Sequence, residues 1–221
     1  ALDVGATGNT RDWSTGACLF DYDHDGDLDI YVAQYSDADE MFTRPDLVRV
    51  LPDGTIDGRN CDWRKLLVYC GPTGLLPRND VFLHNDLVET GKLAFRNVTK
   101  AAGIHREYTA TSSTEQSEGP WYWFQPVAWD IDGNGFVDVM VANDSVRNVV
   151  WMNQGKGRFE DQAEAMSLGV SMEEFHAEAS MGLNIGDMNH AGIQATVVWQ
   201  SSHTLLLVMC VGCLPVARGP S

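Results

Sequence analysis

The sequence predicts an all-β chain, part of a β-propeller with about two to three blades. Three observations predict it: a segment that occurs twice and begins a third time, an acidic turn at the centre of each copy, and a short β-branched run after each turn. At 221 residues, with 44% hydrophobic and 21% charged residues, the chain fits a globular body of one or two domains rather than a disordered acidic tail. Its formal charge of −16 argues against binding nucleic acid or an anionic membrane. No apolar run reaches the roughly 18 to 20 residues of a bilayer span, so no membrane insertion is expected. The N-terminus, Ala1 to Thr10, lacks a basic start, an apolar signal core and an initiator Met, so the chain reads as a fragment or a processed product.

The first copy runs from Gly16 to Ala33 (GACLFDYDHDGDLDIYVA) and the second from Pro126 to Ala142 (PVAWDIDGNGFVDVMVA). A third begins at Gly182 (GLNIGDMNHAG) and loses the pattern after Gly192. Each complete copy is followed by a second shared stretch. Val81 to Asn85, Gly91, Phe95, Gly103 and Ile104 match Val149 to Asn153, Gly157, Phe159, Gly169 and Val170 in order. The loop starts at Asp21, Asp130 and Asp187 lie 109 and 57 residues apart, and the surplus falls between Asp29 and Asn85. That surplus is one insertion, at about residues 36–79, inside a propeller fragment spanning 1–192.

The acidic turns carry hard-cation chemistry. Oxygen donors at relative positions 1, 3 and 5 wrap one ion, glycine at position 6 permits the sharp turn, and position 7 offers its carbonyl. In the first loop these are Asp21, Asp23, Asp25, Gly26 and Asp27; in the second, Asp130, Asp132, Asn134, Gly135 and Phe136. Asp29 and Asp138, at position 9, can close the shell. Five aspartates in residues 21–29 repel one another strongly without a counter-ion, so calcium is the expected cofactor. The loops offer oxygen alone, which disfavours zinc or copper.

An EF-hand begins the same way but needs a bidentate glutamate at position 12, where this chain has Val32 and Val141. The runs after the loops are too short and too β-branched for a helix, so each calcium site is expected to join two strands. In the third loop, Ala191 and Ala195 replace two ligands, and ion binding is not expected there. Two units and part of a third do not close a ring of four to eight blades, so the native protein is expected to be longer. A β-solenoid is the alternative architecture.

The DxDxDGDxD loop, the segment Phe95 to Ile104, and Val141 to Ser145 leading to Met152, Asn153, Gly155, Gly157 and Phe159 resemble FG-GAP/VCBS repeats. With Tyr69 to Pro72 and Ala179 to Gly182, they resemble more closely the ASPIC/UnbV, or cartilage acidic protein-like, group. The resemblance covers about residues 14–192. It implies a propeller that is secreted, at the cell surface or periplasmic, with calcium in the blade loops, binding a protein or glycan partner and carrying no catalytic centre. A polysaccharide lyase or hydrolase is the alternative function. The tail, residues 193–221, departs from the family and reads as a frame error or truncated gene, with a divergent strand pair or an interfacial segment as alternatives.

The remaining residues have plainer readings. Cys61 and Cys70 lie in the Pro/Gly-rich insertion, where a disulfide would staple the loop in an oxidising compartment. Cys18 reads as a buried thiol. The Cys210 and Cys213 pair lacks the context of a redox or zinc motif. Trp121 to Phe124 is expected to pack between blades rather than form a sugar platform. His176 and Glu178, with Asp161 or Glu164, have metal-pair spacing but read as solvated polar residues. Asn97 and Asn143 begin glycosylation sequons.

Overall fold

In this computed structural model the described residues are 4–6, 11–39, 48–50, 52–54, 56–59, 61–63, 66–68, 75–106, 121–166, 180–187, 195–200 and 206–210. The strands in chain order are β1 (Asp12–Phe20), β2 (Asp29–Asp37), β3 (Val48–Val50), β4 (Ile56–Arg59), β5 (Cys61–Trp63), β6 (Leu66–Val68), β7 (Val81–Asn85) and β8 (Phe95–Asn97), followed by β9 (Trp123–Trp129), β10 (Asp138–Asn143), β11 (Val149–Asn153), β12 (Phe159–Asp161), β13 (Ser180–Gly186), β14 (Ala195–Gln200) and β15 (Leu206–Cys210). Among the described residues, helix is confined to short pieces such as Leu87–Thr90, one turn closed by Gly91 in the left-handed conformation.

The three predicted turns each join two antiparallel strands. Phe20 lies opposite Asp29 across the first, Trp129 opposite Asp138 across the second, and Gly186 opposite Ala195 across the third. No helix leaves the first or second loop, which excludes the EF-hand geometry. The two complete repeats fold into four-stranded antiparallel sheets, β1-β2-β7-β8 and β9-β10-β11-β12. The insertion sits between β2 and β7, and its backbone forms two small ladders, β3 with β4 and β5 with β6. A third sheet pairs β13 with β14 and β15, so strands lie in the tail that the repeat pattern left unassigned.

The middle sheet is buried on both faces, and alternation along its strands shows why. Val139, Val141, Val149 and Trp151 face the first sheet, packing with Phe20, Tyr31 and Phe82. Met140, Ala142, Val150 and Met152 face the other way and pack with Leu183 of β13. These strands read as continuous apolar runs because neither face meets water. Stacked four-stranded meanders of this kind are blade-like, and the described residues show the stack without a closed ring.

Gly16 sets how closely the first two sheets approach. A Cβ there would lie 2.8 Å from Pro126 Cδ and 3.1 Å from the Phe124 carbonyl. Trp121, Tyr122 and Trp123 are buried, with Trp121 stacked on Trp123 at 5.4 Å and Trp123 on Trp151 at 6.3 Å. This aromatic run packs between sheets, as its position before the second loop suggests. Arg106 and Arg147 lie over the Trp121 ring, and both guanidinium groups donate to Asp161.

Cys18 is half-buried on β1, and burial followed by the nearby Asp80 carboxylate pushes its thiol up to about 12. Asn143 is buried, its amide donating to the Arg147 carbonyl, whereas Asn97 is exposed. The pairing of Cys61 with Cys70 lies outside the described residues, as do His176, Glu178, Ala191 and Cys213.

Candidate metal centre

Each loop is shaped by its own position-1 aspartate. Asp21 accepts the N–H of His24 (2.7 Å) and Gly26 (3.1 Å); Asp130 accepts those of Gly133 (2.8 Å), Asn134 (3.1 Å) and Gly135 (2.9 Å). The position-6 glycines are left-handed, Gly26 at φ 100° and Gly135 at φ 93°, as the sharp turn requires. Position 5 then accepts the N–H of position 7: Asp25 from Asp27 at 3.0 Å, Asn134 from Phe136 at 2.7 Å.

The position-9 aspartates clip each loop to the next strand. Asp29 accepts the N–H of Tyr22 (3.3 Å) and Asn85 (2.9 Å), and Asp138 accepts those of Ile131 (2.8 Å) and Asn153 (2.7 Å). Burial pushes both carboxyls up to about 6, against the pull of those N–H groups. Each oxygen keeps a second lone pair. The strand-end asparagines complete the clip, Asn85 donating to the Leu28 carbonyl (3.2 Å) and Asn153 to that of Val137 (3.2 Å).

The predicted ligands therefore converge. Asp21, Asp23 and Asp25 form one group, and Asp130, Asp132 and Asp138 another, each with ligand atoms within 4.8 Å of one another. Asn134 donates to Asp132 at 3.1 Å. Phe136 stacks on His24 at 4.8 Å, so the two loops lie side by side.

The loops differ in how well they satisfy themselves. In the second, Asp130, Asp132 and Asp138 accept on both oxygens, and Asn134 accepts on Oδ1. In the first, Asp23 Oδ1, Asp25 Oδ2 and Asp27 Oδ1 are buried with no hydrogen-bond partner, although Asp27 accepts the Val88 N–H through its other oxygen. Burial, then the Asp25 charge, raises the Asp23 carboxyl. Buried carboxylate oxygens without donors call for a cation, and an oxygen-rich set of this kind fits a hard divalent ion. Asp21, Asp23, Asp25, Asp27 and Asp29 would hold it in the first loop.

Sequence reasoning missed His84. It is 1% exposed on β7, with Nε2 2.8 Å from Glu89 Oε1 and Nδ1 3.3 Å from Asp29 Oδ1 and 3.6 Å from Asp23 Oδ2. Burial alone would lower its pKa, but the Glu89 hydrogen bond and Asp29 outweigh it, leaving the imidazole above its ordinary value. The available signal was a departure between the repeats, since the matching residue in the second is Met152.

No helix among the described residues is long and apolar enough to cross a membrane. No curated protein matches this chain. Residues 130–193, from the first aspartate of the second loop through β13, match the family model of the FG-GAP-like repeat, so this stretch carries a repeat typical of β-propeller-type modules in extracellular or surface proteins.

Proposed function

We propose that the chain is a calcium-clipped β-propeller module of an ASPIC/UnbV-like protein. It works outside the cytoplasm, secreted, at the cell surface or in the periplasm, and binds a protein or glycan partner. Calcium's role is structural: it neutralises loops whose carboxylates repel and fixes the ends of adjacent sheets. The observation that carries this reading is the trio of unpartnered buried oxygens on Asp23, Asp25 and Asp27. A binding role is favoured over an enzymatic one because polar and aromatic groups that would suit a cleft are committed to packing. Trp121 and Trp123 are buried and stacked, and Asp161 is held by Arg106 and Arg147.

Thermal unfolding of the full chain in excess calcium and in excess chelator tests the calcium role. Ligand linkage gives a gain of about 2.7 kcal/mol when free ion is a hundredfold above Kd. An identical Tm in both conditions defeats it.

A further inference from the structure

We propose that the first loop also takes a zinc-class divalent ion, bound through His84 Nδ1 with Asp23 and Asp29, in competition with calcium, while the second loop does not. The proposal rests on the reading that the first loop holds a divalent ion and adds a nitrogen donor to it. The loop's alternate ligand positions offer oxygen alone, which disfavours zinc, and His24 between them stacks on Phe136, but the fold carries His84 in from β7 and removes that objection.

The imidazole is arranged as a ligand. Glu89 holds Nε2 at 2.8 Å, and as an acceptor-only carboxylate it fixes the ring proton on that nitrogen. In that tautomer the Nδ1 lone pair points toward Asp29 and Asp23, and Nδ1 is buried without a hydrogen bond. A lone pair facing two carboxylates is repulsive until a cation, either a proton on Nδ1 or a metal ion that displaces it, sits between them. Metal-bound histidines commonly have their second nitrogen held by a carboxylate in this way.

The spacing also fits. Zinc bonds of about 2.0–2.1 Å place tetrahedral ligands about 3.3–3.4 Å apart. Nδ1 lies 3.3 Å from one carboxylate oxygen and 3.6 Å from the other, and these three groups have ligand atoms within 4.8 Å of one another. The second loop has the buried thioether of Met152 at the matching position.

The test is calorimetric titration of chelator-stripped full chain with zinc and, separately, calcium, together with the visible spectrum of the cobalt(II) form. Wild type, His84→Met and Glu89→Gln are compared. Methionine is tolerated at the matching site, and Glu89 is half-exposed, so Glu89→Gln supplies a readout should His84→Met fail to fold. Expected results are zinc binding with a tetrahedral cobalt spectrum in wild type and loss of both in His84→Met. Glu89→Gln is expected to weaken zinc about 10- to 100-fold. Calcium binding without zinc binding overturns this proposal and leaves the calcium reading standing, as does unchanged zinc affinity in both variants. Failure of both ions to bind overturns both.

Discussion

Asn153 donates its side-chain amide to the Tyr22 carbonyl at 2.9 Å, tying the end of β11 in the second sheet to the loop of the first. The same side chain donates to Val137 and accepts the Gly155 N–H at 2.9 Å. One buried residue therefore holds both acidic turns in register, which makes the pair a single structural unit.

Asn153→Ala should destabilise the protein by about 2 to 4 kcal/mol, because buried carbonyl and N–H groups lose their partners. Denaturant unfolding measures this. A loss below about 0.5 kcal/mol would show that the two loops are held together by something else.

Asp25→Asn should act in opposite directions with and without ion. The substitution keeps the bond from the Asp27 N–H while removing one of several repelling charges. Chelator-treated protein should gain about 0.5 to 1 kcal/mol, and the stabilisation by calcium should shrink by more than half. A parallel drop in both conditions would point to a packing defect.

Gly16→Ala should cost about 1 to 3 kcal/mol, since the added methyl meets the Pro126 ring and the Phe124 backbone. The readout is the urea midpoint. Retention of wild-type stability would mean that β1 and β9 separate freely.

Asp80→Asn addresses a buried acid. Asp80 accepts the Tyr31 hydroxyl and the Gln34 N–H (2.8 Å), and Trp151 donates to Tyr31 at 3.0 Å. Burial raises its carboxyl well above the ordinary range, despite those hydrogen bonds. A raised folded-state pKa means stability is fully present below the unfolded value of about 3.9 and is lost as pH climbs through the folded one. Between pH about 4 and about 9, wild type should therefore lose stability relative to the Asn variant. Equilibrium unfolding across that range checks it, and a gain by wild type with rising pH would reverse the assignment.

What could be read from the chain was local. Alternate oxygen donors from Asp21 to Asp29 and from Asp130 to Asp138, the turn glycines Gly26 and Gly135, and valine at position 12 gave strand-loop-strand turns, because backbone sterics and ligand spacing act over a few residues. The recurrence of Asn85 and Asn153 was visible, but not its purpose. Tertiary structure decided which oxygens stay without donors, that His84 enters the first loop, and that Asn153 bridges both. Those contacts join residues far apart in sequence through sheet register and stacking, so two loops of nearly equal spelling acquire different electrostatics from what packs around them.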